Sequence, residues 1–151
     1  VRGPQGKFTM PDTLDKDLYL ICTGTGIAPF RSMAHFIHQK QIPHKNIHLI
    51  FGCREFKDSL YEEELKQLEK ILPGFYHHPC FSRELVVGLG QYTGYVHACY
   101  TDLIEKHKGM TGAIPDASFF LCGWKNMVDD AKQKLLEIGY EKQAIHLELY
   151  G

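Results

Sequence analysis

Leu18-Tyr19-Leu20-Ile21-Cys22-Thr23-Gly24-Thr25-Gly26-Ile27-Ala28-Pro29-Phe30-Arg31-Ser32 is the stretch on which the fold turns. Its first five residues are apolar and rich in strand formers, so they read as a short buried strand. Two glycines then let the backbone turn sharply and approach a ligand closely. Phe30, Met33, Ala34 and Ile37 follow at helical spacing. Pro29 fits a first helical turn, where its missing N–H costs nothing. A strand, a Gly-rich turn and a fresh helix N-terminus together offer backbone N–H groups and a partial positive charge to a phosphate. The bland alternative is an ordinary β–α loop, since a lone Gly-x-Gly is weak evidence; the flanking strand and helix favour the phosphate site.

The same alternation runs along the whole chain. Strands are expected at Leu18–Cys22, Ile47–Gly52, Phe75–Ser82, Ala117–Cys122 and Ile145–Tyr150, and helices at Pro29–Lys40, Leu60–Leu72, His97–His107 and Asn126–Ile138. Ser59 and Glu62 have capping-box spacing ahead of the second helix, and Gly139 stops the last one. Five strands alternating with helices predict an α/β domain, a doubly wound parallel sheet with helices on both faces. Pro79 cannot donate to a ladder, so its strand belongs at an edge, as the order 3-2-1-4-5 places it. Ligands of such sheets bind outside the carboxyl ends of the strands, at the switch point. Gly24–Pro29 after the first strand therefore faces Leu121–Met127 after the fourth across one crevice.

The chain has 151 residues, 44% hydrophobic and 23% charged, enough for a real core. Lys and Arg number 17 against 18 Asp and Glu, a balance that gives no reason to expect nucleic acid or an anionic membrane as partner. No apolar run is long enough to span a bilayer, and no secretory signal opens the chain. Five singly spaced cysteines make no metal or iron–sulfur motif and no closed disulfide set, so a reducing, cytoplasmic setting is expected. The nine histidines suggest no metal site: His77 and His78 are neighbours on a strand and point to opposite faces. Ser82 has no recognisable base, so a hydrolase is not supported.

Several segments, in order, carry a family likeness. They are Thr23–Ser32, Phe51-Gly52-Cys53-Arg54 with Tyr61-Glu62-Glu63-Glu64-Leu65, Ser82-Arg83-Glu84, Leu121-Cys122-Gly123 with Met127, and His146-Leu147-Glu148-Leu149-Tyr150. Together they resemble the ferredoxin–NADP reductase superfamily, over nearly the whole chain. The resemblance implies that residues 11–151 are its NAD(P)-binding domain. Residues 1–10, with Gly3–Phe8, resemble the seam from an upstream flavin-binding barrel. It implies a flavin-dependent oxidoreductase that presents the nicotinamide of NADPH, or NADH, for hydride transfer to FAD. Electrons would then pass to an acceptor protein: a ferredoxin, flavodoxin, oxygenase or haem protein. This fragment alone should then be inactive. The alternative is a non-catalytic nucleotide-sensing or docking module.

Residue by residue, the resemblance puts Thr25, Gly26 and Pro29 at the pyrophosphate, with Thr23 and Gly24 also among the cofactor-binding residues. It puts Cys122 with Gly123 against the nicotinamide and Glu148 near the flavin, as the catalytic candidates. Ser82 and Arg83 fall near the adenosine ribose, Tyr95 near the adenine, Trp124 and Met127 in the second crevice wall, and Tyr150 where some members stack an aromatic on flavin; Arg54, in its motif after the second strand, counts among the cofactor-binding residues. By pattern alone Cys122 is equally a plain buried strand cysteine, and Glu148 equally an outward charge alternating with Leu147 and Leu149. An Arg at Ser82-Arg83 can make charge-assisted bonds to a 2′-phosphate, which favours NADPH over NADH.

Overall fold

A computed structural model describes residues 14–149. Its strands are β1 (Asp17–Thr23), β2 (Ile47–Cys53), β3 (Phe75–Phe81), β4 (Tyr92–Thr93), β5 (Ala117–Gly123) and β6 (Ile145–Leu149). The helices are α1 (Ile27–Gln39), α2 (Glu62–Ile71), α3 (Val96–Thr111) and α4 (Lys125–Ile138).

The sheet is parallel throughout, in the order β4-β3-β2-β1-β5-β6. This corrects the five-stranded expectation. The five long strands keep the expected order, and a sixth, β4, is added outside β3. Two residues are too few to show a period, which is why β4 is not legible in the sequence. Pro79 is consistent with its place: β4 pairs only with Cys80 and Phe81, so the outer ladder does not extend back to Pro79.

β1 shows why the sheet is covered on both sides. Leu18, Leu20 and Cys22 pack into one core with Ile27, Phe30 and Ile37 of α1 and with Leu65 and Leu68 of α2. Tyr19 and Ile21 pack into a second core with Cys99, Tyr100 and Ile104 of α3 and with Val128, Ala131 and Leu135 of α4. Alternate residues of one strand thus feed two hydrophobic layers, each large side chain contributing about 1.5–3 kcal/mol on burial.

Helix ends need one further correction. α2 is not capped by Ser59. Its N-cap is Tyr61, held at φ 59° with no side-chain cap. The capping box closes one turn earlier, between Glu55 and Asp58 around the 3-10 turn Phe56–Asp58, and leaves Ser59 extended. Tyr61 is kept in place from α1, because Arg31 lies 4.5 Å over its ring and forks onto Glu64, with Nη2 to Oε1 at 3.0 Å. α4 stops at Gly139, φ 128°, as its sequence predicts. Seam residues Gly3–Phe8 and Tyr150 lie outside the described residues, as does the Glu148 side chain.

Candidate functional site

The two crevice walls meet through bare backbone. Gly24, Thr25 and Gly26 form a 3-10 turn after β1, and α1 starts at once from Gly26. A Cβ on Gly26 would stand 2.5 Å from the Cys122 carbonyl oxygen, so the turn and β5 touch where only glycine fits. Gly123 closes the other side. It sits at φ 148°, and a Cβ there would fall 2.2 Å from Thr23 Oγ1. That hydroxyl accepts a hydrogen bond from the Trp124 N–H at 3.2 Å, which ties the ends of β1 and β5 together. Thr23 is therefore buried and engaged internally, whereas Gly24 and Thr25 of the turn are accessible.

The helix starts divide into two kinds. α1, α3 and α4 carry no capping side chain and no acidic residue in the first turn. Apart from the Ile27 N–H, which bonds back to the Gly24 carbonyl, their orphan N–H groups and positive dipole ends meet no side-chain cap and no first-turn carboxylate. α2 instead fills its first turn with Glu62, Glu63 and Glu64, which neutralise its own terminus. The N-caps of α3 and α4 are Tyr95 and Trp124. Ser, Thr, Asn or Asp is preferred at that position, so both helices forgo a cap and display a ring instead.

Those rings flank a cleft of about 490 Å³ lined by Thr23, Tyr95, Val96, His97, Trp124, Asn126, Met127 and Asp130. Tyr95 is 72% exposed and Trp124 48%. The structure thus gathers four predicted residues, Thr23, Tyr95, Trp124 and Met127, in one place. His97, Asn126 and Asp130 are not among the residues that sequence reasoning singles out. The available signal is their position in the opening turns of α3 and α4, within a few residues of those it does.

The remaining candidates lie outside this cleft's lining, at the carboxyl ends of the strands. Ser82 N–H donates to the Cys53 carbonyl and Arg83 N–H to the Arg54 carbonyl, at 3.0 and 2.9 Å. The two arginines therefore leave β2 and β3 side by side. Both are exposed, and among the described residues neither guanidinium holds an ion pair. The Glu84 carboxylate is turned back onto the Phe56 N–H at 3.0 Å. Cys122 is fully buried, in register with Cys22 on one side and with Glu148 on the other. The two catalytic candidates are thus adjacent in backbone, with the Cys122 thiol beneath the surface of the crevice. Burial pushes the neighbouring Cys22 thiol well above its ordinary value, so it is no nucleophile.

Residues 20–133 match the oxidoreductase NAD-binding domain family. The chain belongs to that family. This NAD-binding domain is 31% identical over 142 residues to NADH-cytochrome b5 reductase 1 of Lodderomyces elongisporus, an alignment covering 94% of the domain's chain and 46% of that protein. It is 30% identical over 155 residues to one component of the Na(+)-translocating NADH-quinone reductase of Neisseria gonorrhoeae, covering 100% of the chain and 36% of that component. Among solved structures, a ferredoxin NADP+ reductase from Neisseria gonorrhoeae with bound FAD and NADP matches with a TM-score of 0.72 and 26% identity, over 92% of this chain and 57% of that one. The chain therefore spans less than half the length of those two sequence relatives. No helix among the described residues is long and apolar enough to cross a membrane.

Proposed function

We propose that this domain binds NADPH across the carboxyl edge of its sheet and presents the nicotinamide to a flavin carried on a partner domain. The observation that carries the reading is the set of three uncapped, acid-free helix starts gathered around a crevice whose walls meet at Gly26 and Gly123. Pyrophosphate fits the α1 start, where Gly24, Thr25 and Gly26 bring backbone close, Pro29 shapes the first turn, and no carboxylate competes. Arg54 and Arg83, side by side and without ion pairs among the described residues, suit the 2′-phosphate, with Ser82 adding a hydroxyl. Cys122 and Gly123 form a small, polarizable wall behind the nicotinamide, and Glu148 stands beside Cys122 in register. When bound, the nicotinamide supplies a hydride from C4 to the flavin N5, and electrons leave one at a time to an acceptor protein. The chain's own share is to orient the dinucleotide and exclude water. Five buried thiols suit a reducing, cytoplasmic compartment.

The cofactor preference is open to direct test. Arg83→Ala is expected to weaken NADPH about tenfold to a hundredfold, the scale of a charge-assisted bond, and to leave NADH nearly unchanged. Titration of both nucleotides decides it, and an Arg83→Ala protein with full NADPH affinity refutes the assignment. A second expectation concerns activity: residues 1–151 alone should bind nucleotide yet show little flavin-dependent turnover. Rapid reductase turnover by these residues, with free FAD added, would overturn the proposed division of labour.

A further inference from the structure

We propose that His97 and Asp130 read the edge of the adenine base, and so make this cleft selective for adenine over other purines. The inference rests on the nucleotide reading above. Its starting point is the pair of N-cap rings. Tyr95 and Trp124 stand at the mouth of the cleft with much of their surface exposed. Val96 and Met127 add buried apolar wall. A cleft with aromatic and apolar sides suits a heteroaromatic ring.

The polar part of the lining is specific. His97 Nδ1 lies 2.7 Å from the hydroxyl of Tyr100, a fully buried residue one helical turn on, and the two rings meet edge to face. Tyr100 thus anchors the imidazole. We assign the tautomer in which the phenol donates to Nδ1, so that the neutral ring carries its proton on Nε2 as a donor. Burial moves His97 below its ordinary value, which keeps the ring neutral near pH 7. Asp130 comes from α4 on the other side of the cleft, close enough to act electrostatically on both His97 and Tyr100. Among the described residues its carboxylate has no hydrogen bond and no ion pair. It is an acceptor only.

One donor and one acceptor on the walls of the same cleft complement adenine, whose Watson–Crick edge offers an N1 acceptor and an N6 amino donor. Hypoxanthine reverses both positions, with an O6 acceptor and an N1–H donor. It would set O6 against the Asp130 carboxylate and N–H against the His97 N–H. A matched pair of this kind discriminates strongly against the wrong base.

The test compares NADPH with its hypoxanthine analogue, nicotinamide hypoxanthine dinucleotide phosphate, by calorimetric titration of the protein. The analogue should bind at least about tenfold more weakly. Asp130→Asn, an exposed and nearly isosteric change, should draw the two affinities together, because an amide can turn either its oxygen or its NH₂ to the base. His97→Ala should do the same. Equal affinities in the unmodified protein overturn the inference, as does an unchanged ratio in both variants. If NADPH binding depends on Arg83 but does not distinguish the bases, the proposed function stands and this inference falls. If neither nucleotide binds, both fall.

Discussion

Gly26→Ala is expected to destabilise the protein and to abolish tight nucleotide binding together. The added methyl would lie 2.5 Å from the Cys122 carbonyl oxygen and 2.9 Å from its carbon, and both are backbone atoms inside a parallel ladder. They cannot rotate away as a side chain would. The α1 start must back off from β5, at about 1–3 kcal/mol or more for overpacking of this kind. The displaced element is the one that presents N–H groups to phosphate, so affinity falls with stability. Gly123→Ala should cost a similar amount by a different route. Its φ of 148° strains any side chain, and its Cβ collides with the Thr23 hydroxyl that holds the Trp124 N–H. Strain of about 1–3 kcal/mol adds to the loss of a hydrogen bond worth about 0.5–1.5 kcal/mol. Gly24→Ala is the milder control: its Cβ would only reach ordinary contact with the Trp124 ring at 3.4 Å, although φ is 54°. Urea midpoints and nucleotide titrations of the three variants should therefore rank Gly26 and Gly123 well below Gly24. Parental stability and affinity in Gly26→Ala would mean that the crevice is not built as described.

Much of this site can be read from sequence because its parts are local. Leu18–Ser32 shows its strand, turn and helix within one continuous stretch, since apolar period and glycine placement are properties of neighbours along the chain. The order of the five long strands also follows, because right-handed crossovers leave few alternatives. What is not legible depends on residues far apart in sequence. Thr23 reads as a ligand contact, yet its hydroxyl serves the Trp124 N–H, 101 positions away. Ser59 has the right spacing for a capping box, but the preceding 3-10 turn takes the cap for Glu55 and Asp58. The polar floor of the cleft needs α3 and α4 to be adjacent before His97 and Asp130 can be seen together. His48 and His78 look unrelated in sequence, and the β2–β3 register brings their Nδ1 and Nε2 atoms to 3.0 Å.

That histidine pair underlies the other large effect expected, a steep loss of stability in mild acid. Burial lowers His48 to about 4; burial lowers His77 to about 4 against the opposing charge of Glu62, and burial, helped by His48 and His77, lowers His78 to about 3. In the unfolded chain all three titrate near the ordinary value of about 6.5. Below that pH the unfolded state takes up protons that the fold refuses, so stability falls as pH falls. The contribution is complete above about pH 6.5, drains away through pH 5, and is spent near pH 3–4, where the folded histidines also protonate. Between pH 7 and pH 5 the loss should be on the order of 5 kcal/mol, comparable to the whole stability of a small domain. Carboxylates do not explain a loss in this window: Glu64 is held below its ordinary value by Arg31, so its effect comes at lower pH. His77→Leu separates the causes. His77 is buried against the α2 side of the sheet, and its Nε2 has no partner among the described residues. Leucine there removes one refused proton and one unsatisfied polar atom. Chemical denaturation at pH 7, 6 and 5 should show the parent losing stability steeply and His77→Leu losing on the order of 2 kcal/mol less. A pH-independent unfolding free energy across this range would contradict the buried, neutral state of the three rings.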